Sequence, residues 1–349
     1  MATQALMDAP PLLVLRPEYD EYRLLKEHPD LYDVVLIKDS YLAEYHSKHH
    51  LHGQDSRKLV HAVPESREVW RDPETAGLVS KTIQKFEAHK RLLGIPLAQE
   101  LDLPIDVASL ASDSALRDLA VDVTLENQAG SSTRTPPYFD IDRLDGFSLQ
   151  VNLQMVRRTA TSVSVEVPTA IVQVTRRRLL DGLLSDVAVG YARAGAQRVL
   201  LRVRGFEAEK ADEDELVAFF EAVEAFQQHG VEAIPDCVGI LGPVLVADGA
   251  RGFSTGTRFF RKVPDALISL GGGGGGSAIQ VQDLRTWQER PRDPGIDAFT
   301  ARIDNLHSLR AAALLAANDP DALIRQLASG GGYPALWARA LSERRRRAA

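Results

Sequence analysis

Short apolar runs rich in β-branched residues alternate with longer amphipathic stretches along most of this chain. Such alternation predicts parallel strands joined by crossover helices. Between the strand candidates, residues 213–229 carry Leu216, Phe220 and Val223 on one apolar stripe and stop at Gly230, the pattern of an amphipathic helix. The strand candidates are residues 33–38, 69–72, 104–109, 133–139, 167–174, 197–204, 231–237 and 251–255.

Alternating strands and helices predict an α/β fold, built either as a barrel or as an open sheet. Open sheets usually carry a glycine-rich turn after the first strand. Here the first candidate leads into Lys38, Asp39, Ser40 and Tyr41 without a glycine. Together with the eight strand candidates, this favours a single (β/α)8 (TIM-like) barrel with an N-terminal extension and a C-terminal helical tail.

Four segments follow from this interpretation. Residues 1–32, with the strand-like PLLVLRP, are expected to extend the barrel by closing its bottom or forming a lid, and residues 33–265 form the barrel itself. Residues 266–295 are expected to be a flexible loop, because six consecutive glycines do not hold one conformation. Residues 296–349 have helical spacing and are expected to pack on the barrel.

The composition and net charge of the chain indicate its structural class and limit the partners that the sequence predicts. The chain has 349 residues, 44% hydrophobic and 26% charged, which suits one large globular domain. A net charge of −7 makes nucleic acid an unlikely partner, although the arginine runs 176–178 and 344–347 leave weak contact open. Cys237 is the only cysteine, so a disulfide within the chain is excluded.

The apolar segments are also too short to predict a membrane span. The first residues have neither the basic start nor the apolar run of a secretory signal. We therefore expect a cytoplasmic protein without a membrane partner, whose oligomeric state and cofactors the sequence leaves open.

The sixth strand candidate provides the clearest functional hypothesis. Arg202 and Arg204 lie two residues apart and therefore on one face of the strand. Burying them against helices would be costly, so we expect them to face the barrel axis, where guanidinium groups can hold a phosphate or carboxylate. The alternative is a structural network with interior carboxylates such as Asp72 and Asp236. Donors open toward the barrel mouth would favour the first interpretation, and mutually satisfied groups closed to solvent the second.

Other candidates come from the remaining strand ends, since barrel sites form at the C-terminal face. Lys38 and Asp72 are predicted to do acid/base work, with a turn or helix cap before Pro73 as the alternative role for Asp72. Tyr138 fits a ligand contact or core packing nearly equally well. The ligand-binding candidates are Tyr138, Asp140, Gln173, Arg202, Arg204 and Asp236.

Two further patterns favour ordinary structural roles. His46, His49, His50 and His52 cluster without the His-Glu-x-x-His pattern of metalloproteases, so a polar loop is favoured over a metal site. Cys237 has no histidine placed near it in the sequence and is interpreted as a buried thiol.

A phosphate-binding P-loop, a G-x-S-x-G elbow, kinase signatures and zinc-type cysteine pairs are all absent from the sequence. The leading hypothesis is a barrel that binds a small anionic or phosphorylated ligand at its C-terminal mouth. Lyase, hydrolase and glycosyl-transfer activities all remain open, as does the question of whether the protein is an enzyme. The alternative is a non-catalytic barrel that acts as a binding or assembly module.

Overall fold

A computed structural model describes residues 9–17, 21–39, 57–80, 103–128, 130–162, 168–256, 280–283, 287–291 and 295–348. The expected α/β class is confirmed, with parallel strands and many helices. The strands are β1 Leu12–Arg16, β2 Val34–Lys38, β3 Glu68–Asp72, β4 Thr169–Thr175, β5 Arg198–Arg204, β6 Glu232–Pro235, β7 Gly252–Gly256, β8 Gln280–Asp283 and β9 Gln288–Pro291.

Twelve α-helices lie in the described part of the chain, several of them directly after a strand. They are α1 Tyr22–Glu27, α2 Arg57–Ala62, α3 Val107–Ser112, α4 Ser114–Glu126, α5 Phe147–Ser162, α6 Arg176–Leu180, α7 Leu183–Arg193, α8 Glu213–Gln228, α9 Gly242–Ala247, α10 Ala298–Asn318, α11 Pro320–Ser329 and α12 Gly332–Ala348. No helix in this part of the chain combines the length and apolar character that crossing a membrane requires.

The strands form two parallel sheets and one antiparallel pair. One sheet has the order β3-β2-β1-β7, the second has the order β4-β5-β6, and β8 pairs with β9. In the parallel sheets Lys38 lies opposite Asp72, and Gln173 lies opposite Arg202. The carboxyl ends of β2 and β3 therefore lie level with each other, as do those of β4 and β5.

Backbone hydrogen bonds also run between the two parallel sheets. The amide of Arg251 donates to the carbonyl of Ala233 over 3.2 Å, and the amide of Val238 donates to the carbonyl of Ser254 over 3.2 Å. These bonds connect the neighbourhood of β6 with that of β7.

Residues 132–141 lie between β3 and β4. The amide of Ser132 donates to the carbonyl of Val69 over 2.8 Å, and the amide of Thr169 donates to the carbonyl of Arg134 over 3.0 Å. Further along, the amide of Ile141 donates to the carbonyl of Gln173 over 2.9 Å. This segment thus bridges the free sides of β3 and β4.

An apolar cluster joins the strands of both parallel sheets on the face that also carries the polar strand ends. Its members are buried, and we call it the inner cluster. It consists of Val14, Val34, Leu36, Trp70, Ala76, Tyr138, Ile171, Leu200 and Ile234. A larger core lies on the opposite face, between β4 to β7 and the surrounding helices. The central strands are thus apolar on both faces, as is typical of parallel sheets covered by helices.

Residues 104–109 do not form the expected third strand. Asp106 caps helix α3, and its side chain accepts a hydrogen bond from the amide of Ala108 over 3.0 Å. Its carboxylate satisfies a first-turn amide, which favours a helix start over an extended strand.

Residues 133–139 are extended but also fail to form a regular strand, pairing only through isolated bridges such as Arg134 with Pro168. Pro136 and Pro137 have no amide hydrogen to donate to a neighbouring strand. The amides of Tyr138 and Phe139 donate to side chains instead, to the hydroxyl of Thr75 and the amide oxygen of Asn152.

The expected N-terminal extension contains a central strand. β1 pairs in parallel with β2 on one side and with β7 on the other, so it lies inside the four-stranded sheet. The sequence could not show this, because the partner strand β7 follows some 240 residues later.

The C-terminal part contains helices α10, α11 and α12 and contacts the remainder of the described chain. In α12, the indole of Trp337 donates to the carbonyl of Ala208 over 3.1 Å, and Arg345 donates to the carbonyl of Ala247 over 2.9 Å. Within the expected loop 266–295, the described residues include β8 and β9. The glycine run 271–276 lies outside the described residues.

Candidate functional site

Polar side chains stand at the carboxyl end of every parallel strand. These strands run parallel, so the side chains near their carboxyl ends lie at the same end of the inner cluster. The convergent residues are Arg16, Lys38, Asp72, Tyr138, Gln173, Arg202, Asp236 and Ser254.

Four of these residues form a buried ion network that we call the floor quartet: Arg16, Asp72, Arg202 and Asp236. Arg16 donates to Oδ2 of Asp236 over 2.6 Å and to Oδ2 of Asp72 over 3.0 Å. Arg202 donates to the same two oxygens, over 2.6 Å and 2.7 Å respectively. The side chains are at most 6% exposed. Each carboxylate thus bridges two guanidinium groups out of contact with bulk water.

Neighbouring groups complete the hydrogen bonding of the quartet. The hydroxyl of Tyr138 accepts from Nη1 of Arg202 over 2.6 Å and donates to Oδ1 of Asp72 over 2.9 Å. Nη1 of Arg202 also reaches Oε1 of Gln173 at 3.3 Å, and the hydroxyl of Ser254 donates to Asp236. All three guanidinium nitrogens of Arg202 therefore have partners.

Burial and charge act in opposite directions on the ionisation of the quartet. Burial alone would raise the pKa of Asp72, but Arg202 and then Arg16 outweigh it and lower that pKa to about 2. Arg16 and Arg202 likewise outweigh burial at Asp236 and hold its pKa well below the usual range. The quartet therefore stays fully ionised near neutral pH, with two positive and two negative charges.

A second layer of four charged residues is more accessible, and we call it the rim: Lys38, Glu74, Asp140 and Arg204. Nζ of Lys38 lies 3.6 Å from Glu74, and Arg204 forms an ion pair with Asp140. Gln173 donates to Oδ1 of Asp140 over 2.5 Å and so links the rim to Arg202 below it. Rim side chains are between 12% and 25% exposed.

Backbone strain accompanies two of these strand ends. Glu74 has a φ of 50° and Cys237 has a φ of 60°. Side chains other than glycine rarely adopt this left-handed region, and such residues cluster at functional sites. The two positions lie within two residues of Asp72 and Asp236.

Asp39, the residue after Lys38, is a further unusual group. Arg71 donates to its Oδ1 over 2.7 Å, while its buried Oδ2 has no hydrogen-bond partner among the residues that the structure describes. Burial raises the pKa of Asp39 to about 7 even though Arg71 lowers it. Cys237 is buried as expected, and burial raises the pKa of its thiol to about 12.

The predicted site residues thus have distinct places. Asp72, Arg202 and Asp236 are in direct contact in the floor quartet, where Arg202 bonds to Tyr138 and Gln173 and Asp72 bonds to Tyr138. Asp140 and Arg204 pair with each other in the rim, and Lys38 pairs with Glu74 rather than with Asp72. Their roles stay predictions.

Sequence reasoning missed Arg16 and Glu74. Arg16 ends the apolar run LLVLR in the same way that Lys38 ends VVLIK, so the signal was present. It was overlooked because residues 1–32 were assigned to an extension outside the repeat.

The metal and nucleic-acid hypotheses gain no support from the described residues. Within them, no group of three histidine, cysteine, aspartate or glutamate side chains is placed to hold a metal ion. The histidine cluster His46, His49, His50 and His52 lies outside the described residues. The four arginines 344–347 all form ion pairs, with Glu224, Asp321, Glu343 and Glu221.

Comparison with protein-family models gives no match to this chain, and a search of curated proteins finds none that is similar to it. Because a fold alone does not determine a function, the chemistry of the floor quartet and the rim is the basis for proposing one.

Proposed function

We propose that this protein binds a small molecule with an anionic group at the carboxyl ends of its parallel strands. The rim would contact the ligand, and the floor quartet would hold the strand ends in place beneath it. The observation that carries this proposal is the convergence of charged and hydrogen-bonding side chains from all the parallel strands on one end of the inner cluster.

Stability alone does not account for these charges. Replacing a buried ion pair by apolar side chains of similar volume is often neutral or stabilising. The inner cluster shows that the same strands pack apolar side chains immediately below the quartet. A polar layer at the strand ends is therefore better explained by ligand binding than by packing.

The proposal includes a closed (β/α)8 barrel made of both parallel sheets and residues 132–141. Support comes from the hydrogen bonds of Arg251 and Val238 on one side and of Ser132 and Thr169 on the other. Hydrogen exchange tests this closure. We expect these four amides to exchange slowly, whereas rapid exchange at either junction would indicate an open sheet.

An anion would enter the rim by replacing its carboxylates. Lys38–Glu74 and Arg204–Asp140 are more accessible than the ion pairs of the floor quartet, and the entering anion would replace each lost carboxylate as the partner of the cation. A guanidinium group can then hold a phosphate or carboxylate through two hydrogen bonds. Lys38 remains the acid/base candidate, while Asp72, bound on both oxygens, is proposed to orient Arg16 and Arg202.

The test compares two arginines of the same strand. Arg204 is at the carboxyl end of β5 and pairs with Asp140, while Arg198 is at the other end and pairs with Glu232 over 2.7 Å. Both side chains are 12% exposed, and both lie on the same face of β5. Arg198→Met is therefore a matched control for Arg204→Met.

Binding of orthophosphate, pyrophosphate, malonate and citrate would be measured by calorimetry and thermal shift. We expect at least one of them to bind the wild type, Arg204→Met to raise its Kd at least tenfold, which is about 1.4 kcal/mol, and Arg198→Met to leave it unchanged. Equal effects of the two substitutions, or no binding at all, would overturn the proposal.

One observation favours the alternative, a non-catalytic binding or assembly module. The floor quartet satisfies its own charges and is nearly closed to solvent, as expected of a structural network. Arg202→Met would leave Asp72 and Asp236 with one guanidinium fewer, and we expect it to lower the free energy of unfolding by about 3–5 kcal/mol. Such a loss without any anion binding to the wild type would leave the alternative as the better account.

A further inference from the structure

We infer that the amino end of the inner cluster binds at least one ordered water molecule, held by the hydroxyl groups of Thr133, Thr135 and Thr169. This inference goes beyond the proposed function and does not depend on it, because it concerns the end of the inner cluster opposite the floor quartet.

The three threonines lie on two neighbouring segments of backbone and share one face. Arg134 pairs in parallel with Pro168, and the amide of Thr169 donates to the carbonyl of Arg134 over 3.0 Å. Paired residues point to the same side and side chains alternate along extended backbone, so the threonines that flank Arg134 share a face with Thr169. Thr169 begins β4 and lies on the same face as Ile171 of the inner cluster, with Gln173 nearer the carboxyl end. The three side chains therefore lie at the amino end of the inner cluster.

The hydroxyl groups of these threonines are buried without a protein partner. The three residues are at most 1% exposed, and none of their hydroxyl oxygens has a hydrogen-bond partner among the residues that the structure describes. Burying a hydroxyl without a hydrogen bond is unfavourable, and three such groups side by side multiply the cost. A bound molecule that can donate and accept hydrogen bonds removes this cost.

Buried threonines elsewhere in the described chain satisfy their hydroxyls within the protein. Those of Thr124 and Thr159 donate to the carbonyls of Ala120 and Met155, four residues earlier in their helices, over 2.8 Å and 2.9 Å. Extended backbone does not offer that local carbonyl. All the threonine hydroxyls that are buried without a partner in the described part of the chain belong to this one group.

The irregular backbone of residues 132–141 explains why water suits this place. Pro136 and Pro137 have no amide hydrogen, and the segment pairs with β4 through isolated bridges instead of a continuous ladder. The side chain of Gln128 already bonds the amide and the carbonyl of Thr135, over 2.8 Å and 2.6 Å, which leaves the hydroxyl to be satisfied. A buried water molecule typically makes about three hydrogen bonds, and three hydroxyl groups can supply them.

Valine substitutions test the inference, because valine keeps the shape of threonine and removes the hydroxyl. If water is bound, Thr135→Val and Thr169→Val each remove a hydrogen bond and leave the water with fewer partners. We expect each of them to raise the equilibrium constant of unfolding by a factor of about five, which is about 1 kcal/mol. If the hydroxyls are dry and unpaired, the same substitutions remove a buried unsatisfied group, and the constant falls instead.

A double variant shows whether two hydroxyls share the same water. Once Thr135→Val is present, we expect Thr169→Val to raise the unfolding constant less than it does in the wild type, because the shared water has already lost a partner. Thr159→Val is the control, because Thr159 is equally buried and its hydroxyl bonds the carbonyl of Met155. Its effect should be additive with that of Thr169→Val.

A crystal structure of the wild type provides the direct observation. We expect density for a water oxygen within about 3.2 Å of at least two of the three hydroxyl oxygens. The inference is overturned if that density is missing, if protein atoms bond the hydroxyls instead, or if the valine variants unfold no more readily than the wild type. Additive effects of Thr135→Val and Thr169→Val would overturn the shared water.

Discussion

Burial favours the protonated form of two aspartates at adjacent strand ends, but neighbouring arginines outweigh burial at only one of them. Asp72 contacts two guanidinium groups, which lower its pKa to about 2, whereas Asp39 has one guanidinium partner among the described residues, Arg71, and burial raises its pKa to about 7. The ionised form of Asp72 therefore stabilises the fold above its ordinary pKa, and this contribution is lost as the pH falls toward 2. For Asp39 the protonated form is the favoured one in the folded protein.

Asp39→Asn tests this assignment, because asparagine keeps the shape and removes the titration. Between the ordinary pKa of 3.8 and about 7, the folded protein binds the Asp39 proton more tightly than the unfolded chain does. The wild type should thus lose stability as the pH rises through this range. Since one pKa unit corresponds to about 1.4 kcal/mol, we expect the variant to gain about 4 kcal/mol relative to the wild type between about pH 4 and pH 8.

The measurement is urea unfolding at several pH values, with Asp30→Asn as the control. Asp30 is exposed, and its substitution should change stability by less than about 0.5 kcal/mol throughout. Parallel pH profiles for Asp39→Asn and the wild type would show that Asp39 ionises normally.

Sequence patterns identified individual elements well where the signal is local. Six of the eight strand candidates coincide with β2 to β7. Apolar runs that contain β-branched residues, such as VVLIK and RVLLRVR, are typical of buried strands. The spacing predicts Arg202 and Arg204 on one face of their strand, with Asp72 and Asp236 as possible partners; Arg202 pairs with both of these aspartates, whereas Arg204 pairs with Asp140.

Elements that depend on distant partners could not be predicted. β1 has the same pattern as β2, but its place between β2 and β7 depends on a pairing across most of the chain. The floor quartet was missed as a set for the same reason, since Arg16 contributes two of its four ion pairs. The site could therefore be predicted strand by strand, but not as a closed network.

Helix α9 packs against β7 through a glycine, and this contact provides a prediction. A Cβ atom at Gly242 would lie 2.1 Å from the ring of Phe253, which is fully buried in β7. Gly242→Ala must displace the helix or the ring, so we expect it to lower the free energy of unfolding by about 1–3 kcal/mol, measured in urea.

Gly190 in α7 offers the matched helical control. A Cβ there meets only the side chain of Leu153, at 3.1 Å, and alanine favours a helix by about 1 kcal/mol over glycine. Gly190→Ala should therefore remain within about 1 kcal/mol of the wild type. If Gly242→Ala is equally mild, α9 does not approach β7 as closely as described.

At the scale of the whole molecule, the C-terminal helices belong to the same core as the strands. Leu309 of α10, Leu327 of α11 and Trp337 of α12 are buried in one cluster with Phe219 of α8 and Val199 of β5. An ion pair also links α10 to the sheet. Both terminal nitrogens of Arg310 donate hydrogen bonds to the carboxylate of Asp33, just before β2, over 3.1 Å and 3.0 Å.

Because they share one core, we expect the strands and the C-terminal helices to unfold together. Trp70 reports on β3 and Trp337 on α12, so two double variants isolate the signals: Trp287→Phe with Trp337→Phe, and Trp70→Phe with Trp287→Phe. In each variant we expect the fluorescence transition in urea to coincide with the loss of helical circular dichroism, as two-state unfolding requires. The variant without Trp337 should have a free energy of unfolding at least about 1 kcal/mol below that of the wild type, because it loses the hydrogen bond from Trp337 to Ala208. A fluorescence change of Trp337 at lower urea than the bulk of the dichroism would show instead that α10 to α12 form a unit of their own.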